Sequence, residues 1–166
     1  MNKKIFVTVG TTKFDELIKV VLSSEVLQAL SVRGYSEITL QIGKSLLKPD
    51  CTPRCGFNRI EYFQLNPSIA SYIQSADLVI SHAGAGSILE ALDGKKCLIV
   101  VTNQLLMNNH QLELAEQLYN DGHLFYCTCE TLLNLIQTMN LSELKPFINN
   151  KSKKIANFID EIMGFS

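Results

Sequence analysis

The residues best suited to chemistry in this chain lie in the segment 81–90, directly after the apolar run 78–80. Helical spacing follows, so a buried strand is predicted to turn into a helix here. Glycines let backbone amides approach an anion closely, and the positive end of a helix favours the anion. Glu90 comes one helical turn later. The candidate phosphate-binding turn consists of Gly84, Ala85, Gly86 and Ser87.

A capping box is the alternative interpretation of the same segment. Ser87 and Glu90 have the Ser-x-x-Glu spacing in which the serine caps a helix and the glutamate bonds to the backbone. Glu90 would then contact no ligand. The paired glycines give more backbone freedom than a cap requires. We therefore favour a ligand-facing turn, with Glu90 accepting hydrogen bonds from a ribose diol.

A second turn follows the predicted first strand and contains Gly10, Thr11 and Thr12. Threonine hydroxyls and free amides there could bind a phosphate or a substrate hydroxyl. The equally weighted alternative is a plain helix start, in which Thr12 caps the helix and Asp15 stabilises the first turn. The two interpretations are compatible.

A third turn precedes the predicted helix 108–120. One asparagine of the pair before it would serve as the helix cap. The run contains more hydrogen-bonding side chains than capping needs, and Asn109, His110 and Gln111 could contact sugar hydroxyls or phosphate oxygens. His123, which follows Gly122, is interpreted as a packed residue.

Alternating strands and helices are predicted to position these turns. The fold class is α/β: a Rossmann-like, mostly parallel sheet with helices on both faces. Ligands bind beyond the carboxyl ends of the strands in such sheets, so the three turns should open on one edge. A loop is predicted over residues 44–58. Strands are predicted at residues 5–9, 37–42, 60–63, 77–80, 97–101 and 123–127, and helices at 14–30, 67–74, 86–94 and 108–120.

Composition narrows the possible functions. The chain has 166 residues, 46% of them hydrophobic, and a formal net charge of −1. We expect one domain over residues 1–166, and the near-neutral charge argues against nucleic acid as the main partner. No secretory signal is evident, and no apolar stretch approaches the roughly 20 residues that cross a bilayer. The five cysteines are expected to be reduced cytosolic thiols, with no metal site.

Several familiar motifs are missing. The segment Gly43-Lys44-Ser45 lacks the earlier glycine of a phosphate-binding P-loop. Gly10 begins no Gly-x-Gly-x-x-Gly run, and the second strand ends in Gln41 rather than in an acid, so a nicotinamide cofactor is not expected. There is also no Gly-x-Ser-x-Gly nucleophile motif. We expect no cofactor.

The combined motif resembles the nucleotide-sugar half of GT-B glycosyltransferases, and within them glycosyltransferase family 28. It is most similar to the small catalytic subunits of the eukaryotic UDP-N-acetylglucosamine transferase that builds dolichol-linked oligosaccharide. The likeness runs from about residue 5 to residue 144. The residues that carry it are His82, Gly84, Gly86, Ser87, Glu90 and Gly94, the run 108–111, and the segments 6–12, 107–115 and 122–127.

This resemblance implies a role for each matching residue. The turn 10–12 would lie near the donor phosphates and the reaction centre, and the turn 84–87 would face the diphosphate. Glu90 would bind the uridine ribose, and Phe63 would frame the uracil. The polar pair His110 and Gln111 would hold the donor sugar.

The implied reaction transfers N-acetylglucosamine from UDP to N-acetylglucosaminyl-diphosphodolichol with inversion of the anomeric centre. Helix N-termini and amides would stabilise the leaving diphosphate without a metal. A GT-B enzyme needs two halves, and this chain supplies one. In the family, a membrane-anchored subunit binds the acceptor, and the soluble subunit joins it at the cytosolic face of the endoplasmic reticulum.

Residues 150–166 are predicted to form a C-terminal amphipathic helix, which would dock either on that partner or on the chain's own sheet. Two other functions stay open: a non-catalytic module that binds or scaffolds nucleotide sugars, and a small hydrolase that uses His82 or His110. The apolar face of the predicted helix consists of Ile155, Phe158, Ile159, Ile162 and Met163.

Overall fold

A computed structural model describes residues 3–103 and 109–147, with side chains in the second range described from residue 112 onward. Within these residues, six parallel strands form one sheet with the order β3-β2-β1-β4-β5-β6. All six predicted strands are confirmed, with shifted ends. They are β1 (Lys3–Thr8), β2 (Tyr35–Gln41), β3 (Arg59–Phe63), β4 (Leu78–His82), β5 (Cys97–Thr102) and β6 (Phe125–Thr128).

Helices connect the strands and cover both faces of the sheet. Ile5 and Val7 of β1 pack on the same side as the first, second and last helices, and Phe6 packs on the opposite side. Both faces of the central strands are therefore buried, which explains their continuous apolar runs. The helices are α1 (Asp15–Val21), α2 (Ser24–Val32), α3 (Ala70–Ser75), α4 (Ala85–Asp93), α5 (Asn109–Asn120) and α6 (Leu132–Thr138).

Two predicted helices differ from the structure because of local capping. The single helix expected over residues 14–30 is divided at Ser23, whose hydroxyl donates to the Val20 carbonyl at 2.6 Å and accepts from the Val26 amide at 3.4 Å. This cap ends one helix and begins the next. The helix expected from residue 67 begins at Ala70, after the Asn66 side chain forms a turn by accepting from the Ser68 amide.

The loop predicted over residues 44–58 is confirmed, since its one pairing is an isolated bridge between Arg54 and Phe57. All five cysteines are free thiols. The described residues contain no cluster of three or more potential metal ligands. In the same part of the chain, no helix is both long and apolar enough to cross a membrane. The helix expected over residues 150–166 lies outside the described residues.

Candidate functional site

The sheet order places two of the predicted turns next to each other. β1 lies between β2 and β4, so the connections after β1 and β4 leave from neighbouring strands. Thr8, at the end of β1, is aligned with Ser81 near the end of β4. Such a switch in strand order opens a crevice at the carboxyl edge of an α/β sheet. The Gly10 turn and the Gly84 turn meet there.

Hydrogen bonds to the strand ends hold the Gly10 turn. Gly10 has a φ of +63°, and its amide donates to the Thr8 hydroxyl at 2.9 Å. That hydroxyl in turn donates to Gln41 Oε1 at 2.5 Å. Thr12 is bonded to the Val9 carbonyl through both its amide, at 3.2 Å, and its hydroxyl, at 2.7 Å. The exposed Thr11 amide has no protein acceptor among the described residues.

In the alternative interpretation of this turn as a plain helix start, the cap at Thr12 is wrong, although Asp15 does lie in the first turn of the helix. α1 begins at Asp15, with Phe14 in the cap position and no side-chain cap, because the Thr12 hydroxyl is committed to Val9. The Asp15 carboxylate instead accepts from the Ser45 hydroxyl at 2.6 Å. The amides of this turn are also less free than predicted, since those of Gly10 and Thr12 are bonded.

The Gly84 turn presents unpaired amides at the start of α4. Gly84 takes the cap position in an extended conformation. Because glycine has no side chain, the cap residue does not bond to the first amides of the helix. Ile88 is the first residue of α4 whose backbone amide bonds within the helix, where it donates to the Gly84 carbonyl at 3.0 Å. The backbone amides of the preceding three residues are different. Those of Ala85, Gly86 and Ser87 have no acceptor among the described residues. This is the arrangement that binds anions at helix N-termini.

The capping-box alternative for Ser87 and Glu90 is wrong. α4 begins at Ala85, so Ser87 is already inside the helix and cannot act as its N-cap. Gly84 occupies the cap position, three residues before the serine that a capping box would use. The exposed Glu90 side chain consequently makes no hydrogen bond within the described chain.

Gly86 has a helical backbone, in agreement with the helix predicted from residue 86, and needs no conformation special to glycine. A Cβ at this position would meet no atom within 4 Å, so the glycine leaves open space above the helix start. Gly86, Ser87 and Glu90 share one solvent-facing side of α4, since residues four apart on a helix are neighbours.

His82 lies between the two turns. Its side chain is buried, with 9% of the residue exposed. A Cβ added to Gly10 would lie 2.7 Å from His82 Nε2, and one added to Gly84 would lie 2.5 Å from the same atom. Burial lowers the pKa of His82 to about 4, so the imidazole is neutral at neutral pH.

Phe63 ends β3, two strands from the Gly10 turn and at the same edge. Its half-buried ring lies 4.7 Å from the ring of Tyr72 on α3, which in turn stacks on Phe6 at 5.5 Å. Phe63, Tyr72 and Phe6 therefore form an aromatic cluster at this end of the crevice. Sequence reasoning missed Tyr72, although its spacing on a predicted helix was a usable signal.

The third turn is placed only by its backbone. Asn109, His110 and Gln111 form the first turn of α5, which follows the carboxyl end of β5. Their side chains lie outside the described part of the structure. The prediction that they contact the donor sugar therefore stays a prediction.

Sequence reasoning also missed a supporting loop. Ser45, fully buried, connects the loop after β2 to Asp15, and the Lys44 amide donates to the Thr12 carbonyl at 2.9 Å. Gly43 has a φ of +60°, and a Cβ there would lie 2.9 Å from the Gly10 carbonyl oxygen. The segment 43–45, which lacks the P-loop motif, thus contacts and supports the Gly10 turn.

Comparison with known proteins places this chain in a family. The model of the glycosyltransferase family 28 C-terminal domain matches residues 4–163. The chain belongs to glycosyltransferase family 28. The resemblance inferred from its motifs is therefore confirmed, as is the Rossmann-like α/β fold.

Named relatives of this family 28 chain are UDP-N-acetylglucosamine transferase subunits. The human protein, subunit ALG13, is 52% identical over 130 residues, which cover 78% of this chain and 11% of that protein. The mouse protein matches with the same coverage, so the chain spans about a tenth of the length of these two relatives. The subunit from Saccharomyces cerevisiae is 33% identical over 179 residues, covering 88% of this chain and 89% of that protein.

Solved structures give the same fold. The NMR structure of ALG13 matches with a TM-score of 0.71 and 27% identity, covering 93% of this chain and 94% of that one. MurG from Acinetobacter baumannii matches with a TM-score of 0.63 and 19% identity, covering 87% of this chain but 43% of MurG. The family 28 chain therefore corresponds to part of the MurG fold.

Proposed function

We propose that this chain is the catalytic, donor-binding subunit of a UDP-N-acetylglucosamine transferase. The reaction adds the second N-acetylglucosamine to N-acetylglucosaminyl-diphosphodolichol in lipid-linked oligosaccharide synthesis for N-glycosylation, inverting the anomeric centre. The observation that carries the proposal is the meeting of the Gly10 turn and the unpaired amides of α4 at the switch in strand order. The names of the relatives supply the donor sugar.

The diphosphate of the donor binds at the start of α4. The amides of Ala85, Gly86 and Ser87 donate to its oxygens, and the helix places about half a positive charge there. As the bond from sugar to phosphate breaks, negative charge grows on UDP, and these fixed donors stabilise it without a metal or cofactor. Thr11 and Thr12, exposed on the neighbouring turn, face the phosphates and the reacting carbon.

The remaining donor contacts extend from this centre. Glu90 accepts from the ribose diol, because it lies one turn along the same exposed face of α4 as Gly86. Phe63, backed by Tyr72, frames the uracil. The amino-terminal turn of α5 holds the donor sugar through Asn109, His110 and Gln111. His82 also belongs to the donor-binding residues, because it lies between the Gly10 turn and the Gly84 turn.

The acceptor half of the enzyme lies on a partner. The chain matches 43% of MurG, which supports a split enzyme in which another subunit completes the cleft. We propose a membrane-anchored, acceptor-binding partner that also supplies the group that deprotonates the acceptor hydroxyl. The assembled enzyme would work at the cytosolic face of the endoplasmic reticulum, and nucleic acid has no part in it.

A transfer assay tests this proposal. The chain is combined with UDP-N-acetylglucosamine and a lipid-diphosphate N-acetylglucosamine acceptor, with and without membranes that contain the partner. Transfer is expected only with the partner. Robust transfer by the chain alone would refute the split enzyme, UDP release without acceptor would indicate a hydrolase, and donor binding without transfer by the complex would indicate a non-catalytic module.

The Glu90→Ala variant tests the donor site in the same assay. Losing hydrogen bonds to a carboxylate should raise the KM for the donor by roughly 10- to 100-fold. Asp93→Ala is the matched control, because Asp93 is an exposed acid at the far end of the same helix. An unchanged donor KM in Glu90→Ala would refute the ribose assignment.

A further inference from the structure

We propose that Gln41 is a donor-binding residue, whose side-chain NH2 group donates a hydrogen bond to an oxygen of the uridine part of the donor. The inference deepens the proposed function and rests on it, since it concerns the same crevice. Gln41 ends β2 and is 4% exposed. The oxygen of its side-chain amide has a partner in the fold, and the nitrogen has none among the described residues.

The Thr8 hydroxyl sets the orientation of the Gln41 amide. Thr8 is fully buried, and its hydroxyl accepts from the Gly10 amide at 2.9 Å. The single proton of that hydroxyl is donated to Gln41 Oε1 at 2.5 Å. With the amide reversed, this proton would have no acceptor among the described residues, and a buried donor without an acceptor is costly. Oε1 therefore faces Thr8, and Nε2 lies on the other side of the amide group.

The Nε2 atom of Gln41 is unpaired and in reach of solvent. Within the described part of the chain, Ser36 Oγ is the one side-chain polar atom that is both fully buried and unbonded. Since Nε2 is unbonded too, it is not fully enclosed and contacts the crevice. Polar groups in the interior of folded proteins are almost always hydrogen-bonded, so this NH2 group needs an acceptor that the described residues do not provide.

The strand register places the NH2 group at the nucleoside end of the crevice. Gln41 is aligned with Thr8 on β1 and with Phe63 on β3, and aligned residues of neighbouring strands share one face of a sheet. Gln41 therefore lies between the Gly10 turn, which faces the phosphates, and the ring that frames the uracil. A uridine that extends from this turn to Phe63 passes the NH2 group, and its ribose hydroxyls and uracil carbonyls are acceptors.

Calorimetry with UDP tests the contact, and inorganic diphosphate is the matched ligand without uridine. Gln41→Met keeps the length of the side chain and removes the NH2 group. It should weaken UDP binding by about 10-fold, as expected for the loss of one hydrogen bond from a partly enclosed site. Binding of inorganic diphosphate, followed by NMR shifts of the amides in the Gly10 and Gly84 turns, should not change. Gln28→Met, at an exposed position on α2, controls for the substitution and should change neither affinity.

The two ligands separate the possible roles of Gln41. Equal weakening of UDP and inorganic diphosphate would refute the contact, because Gln41 would then act only through the Gly10 turn. Unchanged affinity for both ligands would refute it too, because the NH2 group would then bind only water. Failure of the wild type to bind UDP would refute the proposed function itself. A wild type that binds UDP no more tightly than Gln41→Met refutes only the role of Gln41.

The wild-type chain supplies a measurement that needs no variant to fold. The two Nε2 protons of Gln41, assigned by NMR through the carbons of the same side chain, should shift downfield when UDP saturates the chain. Their exchange with water should also become slower. Unchanged shifts and exchange would refute the contact, and this result decides the matter if inorganic diphosphate binds too weakly to be followed.

Substitutions of Thr8 test the orientation of the amide. Thr8→Ser keeps the hydroxyl and should bind UDP as the wild type does. Thr8→Val keeps the shape and removes the hydroxyl, so it should weaken UDP binding at least as much as Gln41→Met, because it also leaves the Gly10 amide without its acceptor. Wild-type affinity for UDP in Thr8→Val would overturn the orienting role of the hydroxyl.

Discussion

Acid should destabilise the folded chain through His82. Its pKa is lowered from 6.5 to about 4 by burial, so the folded chain holds the neutral ring while the unfolded chain takes up a proton below pH 6.5. The free energy of unfolding is therefore unaffected by His82 above pH 6.5, and it decreases as the pH falls from 6.5 towards 4. Each unit of pKa difference corresponds to 1.36 kcal/mol, so the loss is about 3 kcal/mol. A typical domain has a stability of about 5–15 kcal/mol, which makes this loss measurable.

The assay is urea unfolding between pH 7 and pH 4 for the wild type and His82→Gln. Glutamine stays neutral, and the other two histidines are present in both proteins, so the difference between the two curves isolates His82. The free energy of unfolding of the wild type should fall about 3 kcal/mol more than that of the variant. A parallel measurement follows the imidazole by NMR, with an expected midpoint near pH 4. Parallel unfolding curves together with a midpoint near 6.5 would refute the reasoning.

Three further predictions concern other parts of the chain. Gly86→Ala should stabilise α4 by up to about 1 kcal/mol in urea unfolding, yet weaken donor binding in calorimetry because the methyl group occupies open space at the helix start; unchanged affinity would place the diphosphate elsewhere. Ser45→Ala removes the 2.6 Å bond to Asp15 and should cost about 1–3 kcal/mol of stability while raising the donor KM; a neutral result in both would contradict the supporting role of this loop. Burial raises the pKa of Cys127 and of Cys129 to about 12, so iodoacetamide at pH 8 should label them only on unfolding, and rapid labelling of the native chain, detected by mass spectrometry, would contradict their burial.

Strands and helices of this chain could be predicted because their apolar residues repeat with the period of each element. The segment 97–101 is continuously apolar and forms the buried strand β5. Boundaries were less predictable where a polar side chain had two possible partners. Thr12 could cap α1 or bond to Val9, and only the folded turn brings the Val9 carbonyl within 2.7 Å of its hydroxyl.

Capping of α4 illustrates the same limit. The spacing of Ser87 and Glu90 matches a capping box. That spacing alone does not show where β4 ends and where the helix begins. β4 extends to His82 through its pairing with β5, and this brings the helix start forward to Ala85. The capping alternative for Glu90 fails because of a strand end, which depends on neighbouring strands.

By itself, the sequence determined the alternation of strands and helices, the family, and the three turns that carry the candidate site residues. These follow from local periodicity and from short motifs, which need no knowledge of distant contacts. Only the tertiary structure decided that the Gly10 and Gly84 turns meet across the buried ring of His82. The physical reason is that β1 pairs with β4, more than 60 residues later in the chain, and packing on both sheet faces selects that neighbour.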